Sequence, residues 1–193
     1  MRIRRMADRG LVVEFEAAPS RDLTARMMGF VAAVRKIEGV VDSAPGHRTV
    51  LVEVEPEAAA PVAELLPQLV EDTAPIEGRL HEVDVRYDGE DVEWACRRLG
   101  LILTDLVRIH SGPEYDVKMI GSPGFIYLSE VDAPLRLPRL DDPRRSVPAG
   151  RVGIGGRQTG IYGRARPGGW RLIGTVVEVP KVRPGDRVRF LPA

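Results

Sequence analysis

The sequence is poor in the residues that build redox and metal centres. It has one cysteine, Cys96, in 193 residues, which excludes an intrachain disulfide framework and any multi-cysteine metal site. Aromatic residues make up 5 %, so the core must be built mostly from Val, Leu, Ile and Ala. No apolar run reaches the ~18 residues that a membrane span needs. The opening MRIRRMADRG is basic but lacks the apolar stretch of a signal peptide, and a cytoplasmic protein with no membrane role is expected. Net charge is absent too, since 28 Lys and Arg offset 28 Asp and Glu. Among catalytic signatures there is no GxxxxGK(S/T) phosphate loop, no HExxH and no GxSxG elbow. No metal is expected.

What charge there is lies unevenly. Residues 136–189 hold 13 basic and 4 acidic side chains, and the remaining 139 residues hold 15 and 24. Such a basic segment suits an acidic domain or a partner protein, with arginine forks pairing with carboxylates. Its arginines are scattered among glycines and prolines with few aromatics to stack bases, so nucleic acid is not expected as a partner.

Periodicity divides the chain in two. Residues 1–87 read as an α+β unit of order β-β-α-β-β-α-β. Strands are expected at Ile3–Met6 and Leu11–Phe15, and a helix over Asp22–Ile37, where Leu23, Met27, Phe30, Val31 and Val34 form one apolar stripe. Ser20 is its expected N-cap and Gly39 its stop. Two strands, Val40–Ser43 and Val50–Val54, follow around Pro45-Gly46, then a helix over Ala58–Val70. His81–Tyr87 alternates and is expected to close this mainly antiparallel sheet. Beyond Asp88, two short helices (Glu90–Leu99 and Thr104–His110) precede a region holding 10 of the 16 prolines and 13 of the 20 glycines. Short hydrophobic runs between turn signals, at 117–120, 125–128, 151–154, 172–179 and 187–191, predict an all-β barrel or sandwich over residues 88–193.

The densest signal is residues 147–174, VPAGRVGIGGRQTGIYGRARPGGWRLIG, with 9 glycines from Gly150 to Gly174. Glycine at that density needs a reason: tight turns, or backbone packed close to something bound. Gln158, Thr159, Tyr162 and Trp170 stand among these glycines, and His110 ends the second short helix. Together they are expected to line one groove, with Gln158 and Thr159 giving directional hydrogen bonds and Trp170 a flat wall. His110 at its rim would shuttle a proton, although a histidine at a helix C-terminus also has a structural explanation. Gly153-Ile154-Gly155-Gly156 lacks the third glycine and following helix of a dinucleotide loop, and nothing activates Cys96.

These segments carry a resemblance. Gly10-Leu11-Val12-Val13-Glu14-Phe15, Pro45-Gly46-His47-Arg48-Thr49-Val50, VRYDGEDVEWACRRLGL, His110 with Tyr115, SPGFIYL, the 147–174 segment and the final RPGDRVRFLP resemble the family of the 5-oxoprolinase B subunit. That family is also called KipI-like or allophanate hydrolase subunit 1, the carboxyltransferase subdomain C/D of urea carboxylases. The resemblance implies an N-terminal α/β domain, a cyclophilin-like β-barrel, and Phe125 of the SPGF stretch beside the other pocket residues. It implies an ATP-dependent opening of 5-oxoproline to glutamate by a complex, with ATP handled there and no cofactor assigned to this chain. The implied partners are an A/B-half protein (the 5-oxoprolinase C subunit, KipA-like) and a lactam-utilisation protein (the A subunit), and the substrate a small lactam or amide. Other members imply other roles, a KipI-type inhibitor of a sensor histidine kinase or a component of a urea- or allophanate-processing system. This sequence departs from the family pattern at Gly121–Phe125, at Gly163 where proline is usual, and at Arg166, a cation where the family has a hydroxyl.

Overall fold

A computed structural model describes all 193 residues, and its chain divides into two compact units, residues 1–78 and 79–193. In the first, strands β1 (Arg2–Met6), β2 (Gly10–Glu14), β3 (Val40–Pro45) and β4 (Thr49–Val54) form an antiparallel sheet ordered β1-β2-β4-β3. Helix α1 (Arg21–Val34) starts where the Ser20 hydroxyl accepts the Leu23 N–H at 3.1 Å, which satisfies one of the free donors of the first turn. Its Leu23, Met27, Phe30, Val31 and Val34 pack with Val50, Val52 and Val54, the inward residues of β4. Helix α2 (Ala59–Asp72) adds Val62 and Leu66 to this core. It carries Pro61 in its first turn and continues through Pro67.

The second unit is a closed seven-stranded barrel. Its strands are β5 (Leu80–Arg86), β6 (Glu114–Gly121), β7 (Phe125–Glu130), β9 (Arg151–Gly155), β10 (Gln158–Tyr162), β12 (Arg171–Val176) and β13 (Arg187–Pro192), ordered β10-β7-β6-β13-β5-β12-β9. All pairings are antiparallel except β5 with β13, and β9 with β10 closes the ring. Strands β8 (Arg144–Val147) and β11 (Arg166–Gly168) form a separate ribbon. Helix α3 (Val92–Leu99) packs on β12 and α4 (Leu103–Ser111) on β13. Gly100 ends α3 in the left-handed region at φ +67°, where a side chain is strained. No helix is long and apolar enough to cross a membrane.

The strand at 80–86 corrects the boundary expected at 87/88. It joins the barrel, pairing in parallel with β13 from Leu80–Arg187 to Val85–Pro192. Alternation shows that a strand buries one face but not which sheet takes it, and the partner here lies about a hundred residues downstream. The joint is held by Asp186, which is buried and accepts the Arg79 and Arg183 N–H groups at 2.9 and 3.0 Å, with His81 Nε2 at 3.1 Å. Burial alone would raise the Asp186 carboxyl, yet these backbone N–H groups and His81 hold it below its ordinary value.

The charge division also changes once folded. Residues 79–193 carry 19 basic and 15 acidic side chains, a balance of +4. Several arginines of the basic segment face carboxylates within the barrel unit: Arg144 and Asp91 at 2.8 Å, Arg151 and Glu90 at 3.0 Å, Arg157 and Glu130 at 2.7 Å.

Candidate functional site: an aromatic cleft outside the barrel

The pleat of β10 decides what its residues do. Thr159 and Ile161 are buried in the barrel unit, Ile161 within its main core, while Gly160 and Tyr162 turn to the opposite face. Strand β7 alternates likewise, with Ile126 and Leu128 in the main core and Phe125 and Tyr127 outside it. The outward aromatics meet Trp170 to form a second cluster. Phe125 lies 4.7 Å from Tyr162 and 4.8 Å from Trp170 between ring centroids, at 85° and 67°. These are edge-to-face contacts of the favourable kind.

The glycines make room for these rings. A Cβ on Gly155 would stand 2.6 Å from the Trp170 indole, one on Gly160 2.7 Å from the Phe125 ring, and one on Gly168 2.2 Å from the Tyr162 hydroxyl oxygen. The cluster floors a cleft of about 210 Å³. Its walls come from Arg139, Leu140 and Pro143 on one side and from Arg166 to Gly169 on the other. The Leu140 N–H, donating to Gly169 O at 2.7 Å, ties the two walls. The Arg139 guanidinium stands 5.4 Å from the centre of the Trp170 ring and that of Arg166 5.8 Å from Phe125, within cation–π range. Burial raises the Tyr162 hydroxyl above its ordinary value, so it remains a neutral donor.

Of the residues expected to share one groove, Phe125, Tyr162 and Trp170 do so. His110 and Thr159 do not. His110 is fully buried and stacks on Phe190 at 4.7 Å. Its Nε2 lies 2.9 Å from Thr159 Oγ1, and its Nδ1 lies 2.9 Å from the Tyr87 hydroxyl. Thr159 Oγ1 donates to Gly153 O at 3.2 Å, so it accepts from Nε2–H, and Nδ1 accepts from Tyr87. Each of these polar atoms is thus satisfied along one chain, as burial requires. Burial lowers His110 to about 3, so it stays neutral where enzymes work. The proton shuttle expected of it is corrected to a core hydrogen-bond bridge. Gln158 also stands apart, its Nε2 donating to Leu128 O at 3.2 Å on the outer face. Thr159 and Tyr162 are three residues apart on one strand, so the pleat puts them on opposite faces.

Tyr127 and Arg139 were not expected at the site. Tyr127 was legible, because it shares a strand face with Phe125. Arg139 was not, since it arrives on a loop whose folding back leaves no periodic trace.

Barrel, ribbon and sheet together define the class. The chain belongs to the carboxyltransferase domain family, subdomain C and D, whose model matches residues 1–180. It is 35 % identical over 204 aligned residues to the 5-oxoprolinase B subunit of Escherichia coli O157:H7, covering 97 % of this chain and 94 % of that one. Among solved structures, TTHA0988 superposes with a TM-score of 0.85 at 37 % identity over 96 % of this chain, which spans 40 % of that longer protein. The K. lactis urea amidolyase shares the fold at TM-score 0.76 and 17 % identity, over 99 % of this chain and 15 % of its own.

Proposed function

We propose that this chain is the B subunit of an ATP-dependent 5-oxoprolinase. It works in the cytoplasm with an A/B-half partner (the C subunit) and a lactam-utilisation protein (the A subunit). The reaction breaks the ring C–N bond of 5-oxoproline, water supplying hydroxyl to the carbonyl carbon and a proton to nitrogen, while ATP hydrolysis drives the opening to glutamate. The observation that carries this reading is the end-to-end similarity to a protein of that name, over 97 % of one chain and 94 % of the other. The cyclophilin-like resemblance of the barrel does not by itself imply isomerase activity, because a fold does not fix a reaction.

The test is reconstitution. Co-expression with the A/B-half and lactam-utilisation proteins should give ATP hydrolysis that depends on 5-oxoproline and stops when this chain is omitted. Full activity of the other two proteins without it would overturn the reading.

A further inference from the structure

The barrel closes unevenly between β5 and β12. These strands pair only at Val85 with Val176 and at Arg86 with Thr175, and the Val177 N–H donates to Asp84 O at 2.9 Å just beyond. From there the chain bends away. Pro180 has no N–H to give, and the Val182 N–H folds back onto Pro180 O at 3.2 Å, a tight turn that keeps 178–181 from zipping onto β5. Successive residues of a strand point their main-chain groups to opposite sides. Arg79 O and Val85 O accept from Arg187 and Ala193 on the β13 side, whereas Asp84 O faces β12. The N–H and C=O of Leu80 and Glu82 therefore face the β12 side too, where no strand of this chain pairs with them. They open on a cleft of about 530 Å³ between residues 81–84 and 177–181.

We infer that this seam takes an extended segment of a partner protein as an added strand beside β5, one in which lysine or arginine alternates with apolar residues. The free main-chain groups of Leu80 and Glu82 supply the ladder. The side chains set the pattern. Glu82 and Asp84 are exposed on the outer face, with Glu178 exposed on the opposite wall. Glu82 has Arg189 at 3.5 Å, while Asp84 and Glu178 form no ion pair within the chain. Lys181 is the only lysine or arginine on these walls, and His81 is tied to Asp186. Basic residues opposite Glu82 and Asp84 stabilise the added ladder, as opposite charges across strands do. The residues between them turn inward beside Val83 and Val179, which belong to the barrel core. At ~3.3 Å per residue the edge from Leu80 to Asp84 admits about five residues. A single strand can enter between the two walls, where the edge of a folded sheet, such as β1 of a second copy, is held off by 177–181. The seam needs neither ATP nor 5-oxoproline, so its failure leaves the proposed role in the complex intact, and the reverse.

The experiment is a nuclear magnetic resonance titration of the full chain with a blocked peptide alternating lysine and valine over about seven residues. The Leu80 and Glu82 amides should shift and exchange their hydrogens more slowly as the peptide saturates, with affinity falling as salt is added. Asp84→Asn and Glu178→Gln should each weaken binding about two- to fivefold and keep the parent melting temperature. The same peptide N-methylated along its backbone should bind on the order of tenfold more weakly, and a glutamate–valine peptide should not bind. No binding at millimolar peptide, undiminished binding of either control, or saturation with the Leu80 and Glu82 amides still exchanging freely would each overturn it. Protection of these amides that grows with the concentration of the chain alone would give the seam to a second copy, and overturn it as well.

Discussion

Gly155 and the Trp170 indole touch so closely that a single added carbon has no place, since a Cβ on Gly155 would lie 2.6 Å from two atoms of the ring. Strand glycines are ordinarily replaceable, and alanine often gains stability by restricting the unfolded chain. Here the ring is held by Phe125 and Tyr127 as well, so it has little freedom to retreat. Gly155→Ala should cost about 1–3 kcal/mol by overpacking and lower the melting temperature. Combined with Trp170→Ala the loss should be less than additive. Additive losses would mean that the glycine serves the backbone and not the ring.

The buried histidine makes a pH prediction. His110 titrates at about 3 when folded, against an ordinary 6.5, because burial penalises its charged form. Its contribution is therefore fully present above about pH 6.5 and declines as the pH falls towards 3, where the unfolded chain takes up a proton that the folded one refuses. The slope is at most about 1.4 kcal/mol per pH unit. Denaturant unfolding of the parent and of His110→Gln between pH 7.5 and 5 should show the parent's advantage shrinking as the pH falls. Parallel curves would show that His110 does not titrate in this window. Asp186, held low instead, protects above its ordinary 3.8 and fails only below it, so the two effects separate.

The elements with strong period were legible in the sequence. Ser20 caps α1, the stripe from Leu23 to Val34 faces β4, and the barrel strands fall close to the short hydrophobic runs. Strand β10 and the β8–β11 ribbon were not legible, because Gly160 and Pro167 interrupt any apolar pattern there. The glycine density was visible but its cause was not: it accommodates rings of the chain itself. His110 and Trp170 were grouped by chemistry, whereas the barrel wall separates the main core from the aromatic cluster. Only three-dimensional closure assigns each residue to a side.

Asp91 concentrates several contacts on one carboxylate. Its Oδ2 accepts from Arg144 Nη2 at 2.8 Å and from the Leu172 N–H at 2.7 Å, with Arg171 at 3.8 Å, so it ties α3 to β8 and β12. Asp91→Ala leaves two guanidiniums and a buried N–H without their acceptor and should cost about 1–3 kcal/mol. A change of less than ~0.5 kcal/mol in denaturant unfolding would show that water replaces the carboxylate.

The same pair decides how a basic docking face is tested. Arg144→Glu would oppose Asp91 and destabilise the barrel, so loss of a partner in that variant carries no information. Arg145 is exposed and has no ion pair among the barrel carboxylates. If the basic face recruits the A/B-half partner, Arg145→Glu should weaken co-purification at low salt, mainly through the association rate, with an unchanged melting temperature. Unchanged recovery of the complex at low salt would place the contact elsewhere.

The division of the chain gives a last test, in which a single strand decides whether a barrel forms. Strand β5 lies between β13 and β12, pairing in parallel over six residues with the first and antiparallel with the second. Val83 and Val85 are buried in the barrel core, and the Arg79 N–H and His81 reach Asp186 from across 107 and 105 residues of chain. Removing β5 exposes that core and leaves two strand edges with unpaired N–H and C=O groups, which favours association with other chains. A fragment of residues 79–193 should therefore unfold cooperatively, with the sharp near-ultraviolet dichroism of packed aromatics. A fragment beginning at residue 88 should lose both and aggregate, although it keeps every residue of the aromatic cleft. The complementary fragment 1–78 holds its own four-stranded sheet and two helices and should fold without residues 79–87. Equal cooperativity in the fragments starting at 79 and at 88 would show that β5 is dispensable, and would return the boundary to the point where the composition changes.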